Sequence, residues 1–249
     1  MKSRLDKLLV DRALAASRER AQALILAGKV LVNEQKIEKA GEQVDEGCEI
    51  RLLGEDLKYV SRGGLKLERA LEHWKIVVEG KVCLDIGAST GGFTDCVLQR
   101  GAERVIAVDT GYGQMDFGLR QDPRVRLLEK TNARYLTWEI LGERADFVAM
   151  DVSFISATLV LPAVIRAAFS DFAGGVRRQM VVLVKPQFEA GREHVGKGGI
   201  VRDEEAQKAS LEKVRAALIE LGASRTDSID SPILGAEGNR EFLLYGEFS

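Results

Sequence analysis

Four charged side chains lie next to apolar runs that are typical of buried strands. Asp151 ends one run, Lys185 ends another, Glu241 opens a third, and Lys66 comes before the first of them. A charged residue at a strand end is more often solvated or ion-paired than catalytic, so no single one identifies a site. Together, lysine and carboxylate side chains can accept, deliver and orient a proton. The set therefore predicts proton-transfer chemistry if the fold brings these residues together.

A glycine-rich segment after the first predicted strand is a second candidate site. Asp85 to Phe93 contains Gly87, Gly91 and Gly92, and glycine lets the backbone approach a ligand closely. The spacing is neither the dinucleotide Gly-x-Gly-x-x-Gly nor a phosphate-binding Gly-Lys-Ser/Thr. Asp109 ends the second strand, where a carboxylate can accept both hydroxyl protons of a ribose. These features predict a site for a nucleoside cofactor.

Apolar runs that alternate with helical periodicity predict the elements that hold these residues. Strand and helix in alternation form a parallel sheet with helices on both faces, and ligands bind beyond the carboxyl ends of its strands. Two last strand candidates, 225–229 and 241–245, have no helix between them and predict an antiparallel edge pair. The predicted strands are Val82–Ile86, Val105–Asp109, Val125–Leu128, Phe147–Asp151 and Met180–Val184, and the predicted helices are Gly92–Arg100, Ile155–Ala168 and Glu204–Leu221.

The start of the chain has a different pattern and predicts a separate small α+β unit. Apolar residues recur at helical intervals over residues 4–26, with a break near Ser17, which would cap a second helix. Gly28 follows as a helix stop, and residues 30–33 and 49–53 are typical of short strands. The predicted domains are 1–58 and 59–249.

Composition excludes several classes of protein. The 249 residues are 45% hydrophobic and 30% charged, which is typical of a folded globule. The 36 basic and 38 acidic residues nearly cancel, so a nucleic-acid surface must be local. Three widely spaced cysteines without a Cys-x-x-Cys pair predict neither a disulfide framework nor a zinc site, and His73 and His194 suggest no other metal. With no leader and no apolar stretch of roughly 20 residues, we expect a cytoplasmic protein without a membrane segment.

The basic N-terminal segment resembles a known RNA-binding module. The order of residues 4–9, 17–22 and 28–33 is similar to that of the S4-type domain, also called the αL motif. The resemblance implies that a helix pair presents basic side chains to RNA phosphates, with salt-dependent affinity. The implied RNA contacts are Arg4, Lys7, Arg18, Arg20 and Lys29.

The glycine-rich loop and the strand-end acids together resemble a class I methyltransferase. Such enzymes use S-adenosylmethionine, whose amino acid end lies on the first loop and whose ribose is held by the acid of the second strand. The implied fold is a Rossmann-like, mostly parallel, doubly wound sheet with an antiparallel last strand, joined to the small N-terminal αL domain. The implied cofactor contacts are Asp85, Gly87, Ala88, Ser89, Thr90, Gly91, Gly92, Phe93, Asp109, Asn132 and Asp151.

The four charged residues resemble the Lys-Asp-Lys-Glu tetrad of FtsJ-like ribose 2′-O-methyltransferases. With the αL module in front, the whole chain is similar to the TlyA family of rRNA methyltransferases, whose older members are called haemolysins. The resemblance implies that Lys185 is the base or alkoxide stabiliser, that Asp151 and Glu241 orient it, and that Lys66 is a second cation. Either lysine could take the proton of the ribose hydroxyl.

The expected function is 2′-O-methylation of a cytidine in 16S rRNA, 23S rRNA or both, within ribosomal subunits. A basic, glycine-rich segment over residues 186–202 is either a mobile loop that contacts RNA or a solvated loop. Two other functions stay open: a membrane-active haemolysin and a non-catalytic RNA-binding protein with a methyltransferase fold. The sequence predicts no metal and leaves the oligomeric state open.

Overall fold

The chain divides into two compact units, Met1–Leu57 and Lys58–Ser249. The computed structural model describes residues 2–15, 17–53, 58–169, 177–235 and 238–248. In these residues no helix is both long enough and apolar enough to cross a membrane. Each unit has a hydrophobic core of its own.

The first unit packs two helices against short antiparallel strands. Leu5, Leu9 and Ile25 are completely buried in its core. Ser17 caps the second helix, as predicted, by accepting a hydrogen bond from the backbone N–H of Arg20. The elements are β1 (Lys2–Arg4), α1 (Leu5–Asp11), α2 (Arg18–Leu26), β2 (Val30–Val32), β3 (Gln35–Ile37), β4 (Gln43–Asp45) and β5 (Ile50–Leu52). β1 pairs with β4, and β2 lies between β3 and β5.

The second unit alternates strands and helices, which confirms the predicted α/β class. The predicted helix at 155–168 is divided into a 3₁₀ turn at Ala157–Leu159 and a helix at Leu161–Phe169. The elements are α3 (Gly63–His73), β6 (Val82–Ile86), α4 (Gly92–Gln99), β7 (Arg104–Val108), α5 (Phe117–Gln121), β8 (Val125–Leu128), α6 (Trp138–Leu141), β9 (Phe147–Met150), α7 (Leu161–Phe169), β10 (Arg178–Val184), α8 (Pro186–Glu189), α9 (Glu204–Glu220), β11 (Arg225–Asp230) and β12 (Phe242–Phe248).

These strands form one seven-stranded sheet in the order β11-β12-β10-β9-β6-β7-β8. The strands from β10 to β8 are parallel, and β12 is antiparallel to both of its neighbours. The predicted antiparallel edge pair is therefore confirmed, with β11 as the outermost strand and β12 between β11 and β10. The residues explain this order: β12 is almost wholly buried, whereas the polar strand β11 is partly exposed.

The order of the strands reverses between β6 and β9, which marks where a ligand cleft opens in this type of sheet. Ile86, Val108 and Met150 are in register at the carboxyl ends of three neighbouring strands. The residue that follows each of these strands therefore lies at the same edge of the sheet. Two apolar layers, one on each face of the sheet, bury these strands and fix that edge.

Helix α3, which the sequence analysis missed, carries Lys66 and is held by close glycine contacts. A Cβ on Gly64 would lie 2.3 Å from Cγ of Tyr59, and a Cβ on Gly92 would lie 2.2 Å from Oγ of Ser61. Tyr59 is buried and donates a hydrogen bond to Glu68 of α3. These contacts place α3 directly against the start of α4.

We predict that Gly64→Ala destabilises the second unit by about 1–3 kcal/mol, because the added methyl group overpacks the ring of Tyr59. Gly63→Ala is the matched control, since its Cβ would meet Oγ of Ser61 at 3.4 Å, an ordinary contact. Urea denaturation followed by near-ultraviolet circular dichroism measures both variants. Equal free energies of unfolding for the two would contradict the packing argument.

Candidate active site

The loop between β6 and α4 lies directly against the end of β9. Gly87 has a φ of 85° and Gly91 a φ of 94°, in the left-handed region that favours glycine. A Cβ on Gly87 would lie 2.1 Å from the carbonyl oxygen of Asp151, so a side chain at this position is excluded. The backbone N–H groups of Gly87 and Ala88 both donate to the carbonyl of Val108. The loop is thus fixed to both neighbouring strands.

Two adjoining cavities open at this edge of the sheet, with volumes of about 370 Å³ and 240 Å³. Gly87, Ser89 and Asp151 line both of them. Of the predicted cofactor contacts, the larger cavity also has Asp109 and Asn132, and the smaller one has Ala88, Thr90, Gly92 and Phe93.

Asp109 has acceptor capacity left for a ligand. Its Oδ2 accepts the backbone N–H of Ser89 at 2.7 Å, and its Oδ1 accepts that of Gly111 at 2.6 Å. A carboxylate offers about four lone-pair positions, so both oxygens can accept a further hydrogen bond. Asn132 borders the same cavity, and its Oδ1 accepts the backbone N–H of Arg134.

Asp85 and Gly91 line neither cavity, although both were predicted as cofactor contacts. Gly91 supplies the left-handed turn before α4, and its Cβ would collide with Leu119. Asp85 is 2% exposed and accepts a hydrogen bond from Thr94 through Oδ2, while its Oδ1 has no hydrogen-bond partner among the described residues. Burial, with a smaller contribution from the charge of Asp151, raises the pKa of Asp85 to about 7.

The four predicted catalytic residues form two lysine–carboxylate pairs. Lys66 Nζ lies 2.5 Å from Glu241 Oε2, and Lys185 Nζ lies 2.5 Å from Asp151 Oδ1. Lys66 and Asp151 line the smaller cavity, where Lys66 is 8% exposed. Each lysine is neutralised by its own acid, as buried charges require.

Sheet register explains how residues so distant in sequence meet. Val184 pairs with Phe242, so the next residues outward are Lys185 and Glu241 on neighbouring strands. Met150 pairs with Val182, which puts Lys185 level with the segment after Asp151.

Sequence reasoning missed Ser153, which accepts a hydrogen bond from Lys185 Nζ at 2.8 Å. It also missed Arg62 and the segment 233–235, which line the smaller cavity beside Lys66. A serine after a strand gives no signal of its own, because its partner comes from another strand. In the segment 233–235 the sequence offers only Gly235 as a signal, whose Cβ would lie 2.0 Å from Oε1 of Glu241.

In the first unit, two of the predicted RNA contacts converge on one buried acid. Asp6 has no exposed surface, and Arg4, Arg18 and Gln22 all donate hydrogen bonds to its carboxylate. These bonds, led by that from Arg4, hold the pKa of Asp6 well below its usual range. The side chains of Arg4 and Arg18 are 46% and 52% exposed, so they are anchored and still accessible. Lys7 is exposed, and Arg20 and Lys29 are partly exposed.

A known protein family matches each of the two units. The family model described as FtsJ-like methyltransferase matches residues 59–248, and the S4 domain model matches residues 3–50. The chain is 44% identical to the 16S/23S rRNA (cytidine-2′-O)-methyltransferase TlyA of Mycobacterium tuberculosis over 98% of this chain and 89% of that protein. The chain belongs to the TlyA family of FtsJ-like methyltransferases.

Two further matches cover nearly all of this chain. YqxC of Bacillus subtilis is 47% identical over 98% of this chain and 85% of its own length. A solved structure from Streptococcus thermophilus has 45% identity and a TM-score of 0.73, and the match covers 100% of this chain and 89% of that one. The TlyA family and its fold imply the use of S-adenosylmethionine. Among the described residues, no three His, Cys, Asp or Glu side chains are grouped to hold a metal ion.

We predict that Asp85→Asn stabilises the protein at pH 8. The folded pKa of Asp85 is about 7, above the unfolded value of about 3.9, so stability is greatest below pH ~4 and decreases as the pH rises through 7. The asparagine does not titrate, so the variant gains up to about 4 kcal/mol over the wild type at pH 8 and little at pH 4. Chemical denaturation at both pH values measures the difference. A constant difference across this range would contradict the role of ionisation.

Proposed function

We propose that the protein is an S-adenosylmethionine-dependent rRNA ribose 2′-O-methyltransferase that modifies cytidine in 16S rRNA, 23S rRNA or both, within ribosomal subunits. The observation that carries the proposal is the pair of lysine–carboxylate contacts beside the glycine-loop cavities. The name of the mycobacterial relative supports the substrate. In this proposal residues 1–58 bind RNA, residues 59–249 catalyse, and the protein acts in the cytoplasm.

The residues at the loop fit the proposed cofactor. Gly87 lets the loop backbone line both cavities where a side chain would collide with the backbone of Asp151, and Asp109 retains acceptor positions for two ribose hydroxyls. The unpartnered Oδ1 of Asp85 is a buried acceptor that suits the ammonium group of a methionine moiety, directly or through water. Asn132 lies at the cavity wall proposed for the adenine.

The proposed mechanism requires little covalent chemistry from the protein itself. When bound, S-adenosylmethionine supplies a sulfonium methyl group that is already activated. The chain must therefore orient the ribose hydroxyl in line and take up its proton. Lys185 is proposed to accept the proton in its neutral amine form and to become the ammonium that Asp151 balances, because Asp151 and Ser153 fix the direction of its Nζ. Lys66, held by Glu241, is proposed as the cation that stabilises the developing alkoxide.

We predict that Lys185→Ala lowers kcat for methyl transfer at least about 100-fold, the usual contribution of a positioned base. Binding of S-adenosylmethionine, measured by calorimetry, should change less than about threefold, since Lys185 lines neither cavity. The assay follows tritiated methyl transfer to 30S and 50S subunits that lack the modification. Reverse-transcription stops at low nucleotide concentration then map the 2′-O-methyl group.

The outcomes of this assay separate the hypotheses. No transfer by the wild type to either subunit, with cofactor binding intact, would refute the proposed substrate. Unchanged turnover by Lys185→Ala would refute the proposed base. A 5-methyl product on the base, in place of a ribose methyl group, would refute the reaction class.

We predict that the double variant Lys7→Glu, Lys29→Glu weakens binding to ribosomal subunits about 10- to 100-fold at low salt. The physical reason is the loss of phosphate contacts, which also flattens the dependence of affinity on salt. Lys208→Glu in α9 is the control, since it changes an exposed charge in the other unit. Fluorescence anisotropy over a salt series measures the affinities. Parallel slopes for wild type and the double variant would count against RNA docking through this unit.

A further inference from the structure

Glu189 is a buried carboxylate close to the proposed reacting centre. It ends the short helix α8, four residues after Lys185, and its side chain is 2% exposed. Its Oε2 accepts a hydrogen bond from Oγ of Ser156 at 2.5 Å, and its Oε1 accepts the backbone N–H of Ala157 at 2.6 Å. Lys213 of α9 balances the charge, with Nζ 3.3 Å from Oε2, and donates to the carbonyl oxygen of Glu189 at 2.9 Å.

These hydrogen bonds join the two segments that carry the proposed base and its partners. One segment follows β9 and contains Asp151, Ser153 and Ser156, and the other follows β10 and contains Lys185 and Glu189. Several contacts join the segments. At the inner end Lys185 meets Asp151 and Ser153, further along the rings of Phe154 and Phe188 lie 5.4 Å apart between centroids, and at the outer end Glu189 meets Ser156 and Ala157. The outer contact therefore limits how far the loop can move from Lys185.

The segment after β9 needs such an anchor because part of its backbone is unfavourable. Phe154 has a φ of 64°, in the left-handed region, and its side chain is 92% exposed. A residue of this type stays in that region only where its surroundings hold it. The 3₁₀ turn that follows receives no cap from the side chain of Ser156, and Glu189 accepts its first N–H instead. Glu189 thus holds the turn, while the ring of Phe188 packs against that of the strained Phe154, with 5.4 Å between the centroids.

We propose that Glu189 is a positioning residue for the base: by anchoring Ser156 and Ala157, it keeps Asp151 and Ser153 in contact with Lys185. This inference rests on the proposed function. Glu189 lines neither cavity, so its effect reaches the reaction only through the loop.

The experiment compares Glu189→Ala with Glu189→Gln in the full-length protein. Glutamine keeps an acceptor for Ala157 and can donate to the Ser156 hydroxyl, whereas alanine loses both contacts. We expect Glu189→Ala to lower kcat about 10-fold or more, with the KM for S-adenosylmethionine within about threefold, and Glu189→Gln to recover most of the loss.

The surroundings of the Lys185 side chain distinguish positioning from general destabilisation. In Glu189→Ala the contacts of Lys185 Nζ with Asp151 and Ser153 should loosen. We expect this change to shift the NMR resonance of Lys185 Cε, assigned with Lys185→Ala, and the measurement requires no enzymatic activity.

Tyr245→Phe is the matched control for lost stability. Its hydroxyl accepts from Gln179 at 2.8 Å and donates to Glu247 at 2.7 Å, and Tyr245 lines neither of the two cavities. It should lower the melting temperature without shifting the Lys185 Cε resonance.

Each result decides one question. If the Lys185 Cε resonance of Glu189→Ala is the same as that of the wild type, or if Tyr245→Phe shifts it equally, the positioning role is overturned. If the wild type transfers no methyl group, the proposed function fails, and the NMR measurement still tests whether Glu189 positions the contacts of Lys185.

Discussion

The parallel pairing of β6 with β9 is the constraint on which the site depends. It places Ile86 beside Met150, so Gly87 and Asp151 leave the sheet at the same point. Because a Cβ on Gly87 would lie 2.1 Å from the Asp151 carbonyl oxygen, this contact tolerates only glycine. The two cavities of the candidate site meet at these two residues. A shift in this register would separate the loop from the acid and remove both cavities.

The antiparallel insertion of β12 brings in the remaining charges. It makes Glu241 the neighbour of Lys185 on the next strand, and Glu241 in turn binds Lys66 from α3. Four charges are thus gathered in a partly buried region as two neutral pairs, which limits the desolvation penalty of each charge. Asp85 differs, since burial without a cationic partner raises its pKa and leaves one oxygen unpartnered. The unpartnered oxygen lowers the stability of the protein, and it is the acceptor that the proposed cofactor would use.

The burial and pairing of charged side chains differ between the two units, in keeping with the function proposed for each. In the first unit Asp6 is buried, and it holds Arg4 and Arg18 while leaving their side chains about half exposed. Such anchoring reduces the conformational entropy that a long side chain loses on meeting a phosphate. In the second unit the lysines are almost buried and have fixed partners, an arrangement suited to directed proton transfer.

The sequence by itself determined the α/β class, the five parallel strands nearly to the residue, and the cap at Ser17, because apolar periodicity and local hydrogen bonding depend on neighbours along the chain. It also determined the residue types of the candidate site through motif resemblance. Only the tertiary structure decided that β12 lies inside the sheet, that Lys66 is on a helix, and that Ser153 and Glu189 serve Lys185. Those facts depend on strand register and on side chains from different segments meeting in space, and neither leaves a periodic signal in the sequence.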